Sequence, residues 1–198
     1  MDLTGTLSLL LHVCCATCAA SVLSELQQKF RVTAFYYNPN IFPAEEYRIR
    51  RGEVRSFCER NGVPFIEVEP DFRCWEQLTA GHGADRERGG RCNICYTLRL
   101  EQTAAYAQEH KFDLFGTDLS ISPKKDALKL NQIGAELSQR YGVRYLEANF
   151  KKRGGFDRAM AVSRQQNFYR QTYCGCRYSL EARQAGKRRL QADTVQQR

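Results

Sequence analysis

The chain has no apolar run long enough to cross a bilayer. Its longest candidate, Leu7 to Ala20, is interrupted by Ser8, His12, Cys14, Cys15 and Thr17, falls short of the roughly 20 apolar residues a spanning helix needs, and lacks the basic stretch that precedes the core of a secretory leader. A cytoplasmic protein with no membrane partner is expected. Histidine is scarce: the three histidines, His12, His82 and His110, are too few and too scattered for a histidine-ligated catalytic metal. A Gly-rich dinucleotide fingerprint and a Walker loop are both missing, so neither NAD nor ATP hydrolysis is expected. Internal repeats and low-complexity tracts are missing too.

Cysteine, in contrast, is plentiful and clustered. The chain holds nine in 198 residues, an odd number grouped by local spacing, and with 42% apolar content it can build a core without covalent staples. That pattern favours a reducing compartment and metal or redox chemistry over a disulfide framework. Basic residues are also unevenly placed. From Lys151 onward there are twelve lysines and arginines against three acids, while the preceding residues are close to neutral. Such an asymmetry favours a polyanionic partner, most commonly nucleic acid.

Hydrophobic patterning predicts alternating strands and helices. Leu7–Val13, Val32–Tyr37, Pro64–Glu69, Phe112–Thr117 and Val143–Phe150 read as strands; 19–29, Ala44–Arg60, 93–110 and 127–140 read as helices. Residues 70–91, with four glycines, read as a long functional loop. The fold class is therefore α/β, a mostly parallel sheet with helices on both faces. It divides into a core over residues 1–150 and a basic helical segment over 151–198 that packs on it. Ligands of an open parallel sheet bind beyond the carboxyl ends of the strands. Cys14, Cys15, Asn38, Asp71, Asp118 and the turn at Lys151 all fall at such ends.

Two cysteine groups carry the chemistry. Cys14 and Cys15 are adjacent, so both thiols reach one point only if the chain turns there, with Cys18 in the first turn of the following helix. Cys92 and Cys95 open another helix, whose unpaired N–H groups favour thiolates. Four thiolates suit a [4Fe-4S] cluster or a tetrahedral zinc equally well, and a bare dithiol remains open. Cys174-Gly175-Cys176 forms a third group, either a redox pair or two ordinary thiols. His12 is a candidate hydrogen-bond donor to a cysteine sulfur. Asp118 and Asp71 are candidate acids, although helix capping is the common role at such places. Ser120, Ser122, Lys124 and Lys125 could form a phosphate-binding turn, with Pro123 the alternative of a plain helix starter. Rings interleave with cations in the basic segment, which suits unpaired RNA. Lys124, Lys152, Arg153, Arg170, Arg177, Arg183, Lys187 and Arg188 are the expected phosphate contacts.

Taken together, the motifs resemble the QueH family of epoxyqueuosine reductases. The resemblance rests on His12-Val-Cys14-Cys15-Ala-Thr-Cys18, Phe35-Tyr36-Tyr37-Asn38-Pro39-Asn40-Ile41 with Glu46-Tyr47, Arg91-Cys92 through Cys95-Tyr96 with Arg99-Leu100, Ser122-Pro123-Lys124, and Tyr169-Arg170-Gln171 through Tyr173-Cys174-Gly175-Cys176. It implies a nucleotide-hydrolase-like fold and a [4Fe-4S] cluster on Cys14, Cys15, Cys92 and Cys95. It further implies reduction of the epoxide of epoxyqueuosine at the wobble position of a tRNA anticodon stem-loop, with electrons from a separate donor. An additional iron is implied at a position usually held by Asp, which is Cys18 here; Thr17 likewise replaces a common proline. The rival readings are a zinc-stabilised RNA-binding module and a thiol-disulfide oxidoreductase.

Overall fold

A computed structural model describes residues 6–196 of the chain. Five parallel strands form one sheet in the order β3-β2-β1-β4-β5, where β1 is Ser8–His12, β2 Arg31–Tyr36, β3 Phe65–Glu67, β4 Leu114–Thr117 and β5 Arg144–Tyr145. The connecting helices are α1 (Ala16–Leu26), α2 (Ala44–Arg60), α3 (Phe72–Leu78), α4 (Gly90–Glu109) and α5 (Ala127–Tyr141); α6 (Gly155–Gln165) and α7 (Arg177–Gln196) follow the sheet. Leu9, Leu10 and Leu11 of β1 are all fully buried, as expected for a strand covered on both faces. Leu9 and Leu11 pack with α1, α2 and α6, while Leu10 packs with α4 and α5. The two-residue side-chain period of a strand thus feeds two separate cores.

Three expectations need correction. The supposed loop over 70–91 contains α3, which Asp71 caps by accepting from the Cys74 amide at 2.9 Å and which Trp75 anchors from a buried position. The last strand is only two residues long, because Ala148 N turns to Asn131 Oδ1 and Phe150 N to Ser120 Oγ, removing the backbone from the ladder. The basic segment is not wholly helical: residues 166–176 run irregularly between α6 and α7 and carry the third cysteine group. Its start is integral to the core, where Ala159 and Phe168 are buried with β1 and α1.

The chain reverses its direction of strand addition at β1, whose two neighbours are β2 and β4. Crevices at such a switch point are where open α/β sheets bind ligands. Cys14 follows β1 there and Asp118 follows β4. No described helix is long and apolar enough to cross a membrane.

Candidate redox and metal centre

The β1–α1 turn brings three sulfurs together. The side chains of Cys14, Cys15 and Cys18 lie within 4.8 Å of one another, and Cys14 Sγ donates to Cys15 Sγ at 3.9 Å. Hydrogen bonds from Cys14 and Cys18 hold Cys15 well below the usual thiol range. The same bond pushes Cys14 up to about 12, and Cys18 rises with it. Gln171 Nε2 adds a further donor to Cys15 Sγ at 3.0 Å. Among the described residues this trio is the one group of three or more potential metal ligands so closely spaced. Cys92 and Cys95 lie outside this closely spaced trio.

Cys92 and Cys95 instead line a small cavity of about 20 Å³ together with Cys174 and Cys176. Both cysteines of that last pair are free thiols in the structure. Trp75 of α3 packs beside Cys95 and Cys176. Six buried polar atoms on residues lining this cavity lack any hydrogen-bond partner: Asn40 Nδ2 and Oδ1, Trp75 Nε1, Arg91 Nε, Tyr96 OH and Arg99 Nε. Orphaned buried groups are rare in proteins, and this concentration of donors beside sulfurs is the environment a sulfur-rich anionic group would complete. The residues present therefore fit a thiolate-held cluster.

Cys174 links this cavity to the outside. It also lines an open pocket of about 250 Å³ with Cys14 and Cys18, facing Phe156, Met160, Lys124 and Arg170. Lys125 Nζ donates to its Sγ at 2.7 Å. A hydrogen bond from Cys176, aided by the Lys125 charge, holds Cys174 below the usual thiol range against the effect of burial, whereas Cys176 is raised. One thiolate and one thiol make a polarised pair.

Asp118 sits fully buried on the same rim, with Oδ1 unpartnered, and burial followed by the nearby Cys14 raises its carboxyl well above the usual range. Its protonated form is thereby favoured. Asp71 is not brought to the site; it is exposed and caps α3. His12 does not reach a sulfur: Nε2 donates to the Tyr37 carbonyl at 3.3 Å, leaving Nδ1 to accept from Thr117 Oγ1 at 3.0 Å. Nor does Pro123 start a helix, because α5 begins at Ala127 and the Asp126 carboxylate already caps its N-terminus. That end cannot serve as a phosphate cradle.

Of the basic residues, Lys124 and Arg170 are exposed at the open pocket, Lys152 and Arg153 lie in an exposed turn, and Lys187 and Arg188 project from α7. Arg177 is paired with Glu76, and Arg183 donates to the Thr172 carbonyl. Sequence reading missed the role of Arg50. Buried on α2, it binds Glu46 Oε1 through Nε at 2.8 Å and Nη2 at 2.6 Å and reaches the carbonyls of Cys174 and Tyr173 at 3.1 and 3.3 Å. Tyr169 OH donates to the other Glu46 oxygen at 2.7 Å. This buried ion pair pins the 169–175 segment over the sulfur trio. Its visible signal was the Glu46/Arg50 spacing, one helical turn.

Comparison with known proteins decides the family. The family model described as epoxyqueuosine reductase QueH matches residues 9–182. The chain belongs to the QueH family. A QueH relative from Haemophilus influenzae, named epoxyqueuosine reductase, is 40% identical over 178 residues, covering 89% of this chain and 73% of its own. QueH from Acinetobacter baylyi is 38% identical over 174 residues, covering 87% and 80%. QueH from Staphylococcus epidermidis is 37% identical over 177 residues, covering 85% and 74%. Among solved structures, the U34-tRNA thiolase NcsA from Methanococcus maripaludis with its [4Fe-4S] cluster superimposes with a TM-score of 0.56 at 14% identity, covering 88% of this chain and 61% of that one. A predicted tRNA methyltransferase subunit from Methanocaldococcus jannaschii gives 0.56 at 11% identity, covering 79% and 74%. These last two likenesses are of fold alone, a parallel α/β sheet flanked by helices.

Proposed function

We propose that this QueH-family enzyme reduces the epoxide of epoxyqueuosine in the anticodon loop of tRNA, giving queuosine and water. The change removes one oxygen, forms a carbon–carbon double bond and consumes two electrons and two protons. The observation that carries the reading is the position of Cys174, which lines the open pocket with Cys14 and Cys18 and also the small cavity with Cys92, Cys95 and Cys176.

Cys14, Cys15, Cys92 and Cys95 would hold a [4Fe-4S] cluster, and Cys18 would offer sulfur to an additional iron. The thiolates around a cubane stand farther apart than the ligands of a single ion, so the wider set suits the cluster and the close trio the single ion. When bound, such a centre supplies one-electron transfer and Lewis acidity toward the epoxide oxygen.

The protein's own groups do the rest. Phe156 and Met160 offer apolar surface to the modified base while Lys124 and Arg170 meet the adjoining phosphates. Asp118, whose protonated form burial favours, holds a proton beside Cys14 for the departing oxygen. Oxidation of the Cys174 thiolate and the Cys176 thiol to a disulfide supplies two electrons and one proton, Asp118 supplies the second proton, and an external two-electron, two-proton donor then restores the cysteine pair and Asp118. The exposed basic residues of the C-terminal segment carry the anticodon stem, and a tRNA substrate with nine free thiols fits a cytoplasmic location.

Anaerobic reconstitution followed by metal counting and mass spectrometry of an epoxyqueuosine-bearing stem-loop tests the reading. About four or more irons per chain with conversion to queuosine is expected. One zinc, no iron and no conversion would replace it with an RNA-binding module.

A further inference from the structure

Two buried cations near the cysteines have no carboxylate partner. Arg99 is 2% exposed and Lys125 7%, and among the described residues no carboxylate oxygen lies within 4.0 Å of either. Asp118, the acid on the same rim, is beyond that distance too. Arg99 donates through Nη2 to the neutral amide oxygen of Asn38 at 2.7 Å, and its Nε has no partner. Lys125 donates to Cys174 Sγ. Both side chains line the small cavity with Cys92, Cys95, Cys174 and Cys176.

A buried charge left unpaired costs several kcal/mol, so two together in one cavity require compensating negative charge. The groups at hand are sulfurs. Arg99 stands one helical turn beyond Cys95 on α4 and lines the same cavity as Cys92, Cys95, Cys174 and Cys176. An iron-sulfur group on four thiolates is net negative in either working oxidation state, and its potential depends on net charge and on hydrogen bonds to sulfur.

From this placement we propose that Arg99 and Lys125 are the built-in counter-charges of the cysteine-held centre and set its reduction potential, favouring the reduced state. The inference rests on the cofactor reading above. Neither residue touches the epoxide; both act through the sulfurs.

The test is a potentiometric titration of the anaerobically reconstituted holoenzyme, followed by visible absorbance and electron paramagnetic resonance. The variants are Arg99→Gln, Arg99→Lys, Lys125→Gln and, as an exposed control paired with Glu101, Arg140→Gln. With iron content unchanged, the two neutral variants should titrate at more negative potential, lowering the reduced-to-oxidised ratio at the wild-type midpoint by about tenfold. Arg99→Lys and Arg140→Gln should stay close to wild type. Loss of iron from Arg99→Gln but not from Arg99→Lys also supports the proposal, because charge is then what the centre needs. Unchanged midpoints at full iron overturn it while leaving the cofactor reading intact. Equal loss of iron from both Arg99 variants overturns it in favour of a purely steric role. A wild-type protein that takes up no iron removes the cofactor reading, and this inference with it, before any variant is compared.

Discussion

Gln171 Nε2 donates to Cys15 Sγ at 3.0 Å across 156 residues of chain. The bond joins the irregular segment between α6 and α7 to the β1–α1 turn, at the sulfur whose titration Cys14 and Cys18 already lower. A hydrogen bond to a charged acceptor contributes about 1.5–3 kcal/mol. Gln171→Ala in the metal-free protein should therefore raise the titration of Cys15 by about one to two pH units. Thiolate absorbance near 240 nm, read as the difference from a Cys15→Ser protein, measures it. An unmoved curve would mean that the amide does not face the sulfur in solution.

Gly175 occupies a backbone conformation with φ of 122°, and a β-carbon there would come within 3.1 Å of Arg50 Nη1. Gly175→Ala should cost about 1–3 kcal/mol in urea unfolding through backbone strain alone. It should also displace Cys174 and Cys176, so the fall in reductase activity should exceed what the stability loss accounts for. A variant as stable and active as wild type would show that the segment is not held by Arg50.

Much of this architecture is legible in the sequence because it is local. The apolar runs through Leu9–Leu11 and Val32–Tyr36, each followed by a helical pattern, place Cys14 and Asn38 at strand ends, and Asp118 follows from the next repeat of the same unit. Helix α3 escaped because it has only seven residues and, of its apolar residues Phe72, Trp75 and Leu78, only Trp75 is buried. The pinning of Cys174 by Arg50 spans 124 residues and depends on an ion pair whose burial no local pattern reveals. The regrouping of Cys92 and Cys95 with Cys174 and Cys176 has the same origin: spacing along the chain shows which thiols can pair locally, whereas the fold decides which pairs face each other.

His12 is fully buried and neutral, its proton affinity held well below the ordinary 6.5 by desolvation and then by the charge of Arg99. The unfolded chain consequently binds a proton near pH 6.5 that the folded chain refuses. Stability is thus complete above that pH and falls as the pH drops below it, by up to about 1.4 kcal/mol per unit from this group. His12→Gln should be less stable at pH 8, having lost the exact fit between Thr117 and Tyr37, yet show a shallower decline between pH 6.5 and 5. Parallel pH profiles from chemical denaturation would assign the acid sensitivity to another group.

The basic residues of the C-terminal segment differ in how free their charge is, and that difference predicts unequal effects on RNA binding. Arg177 is committed to Glu76 and lies 5.5 Å from the centre of the Phe42 ring, whereas Lys187 and Arg188 are exposed on α7. Each phosphate neutralised by a free cation releases counterions, so losing one contact reduces the salt slope by about one unit. Replacing Lys187 and Arg188 by Glu should weaken anticodon stem-loop binding and flatten its dependence on salt, as followed by fluorescence anisotropy from low to moderate ionic strength. Arg177→Gln should change the slope little, because the charge it removes is already balanced by Glu76. If Arg177→Gln flattens the slope while the double reversal leaves it intact, the RNA must approach from the Phe42 side instead of along α7.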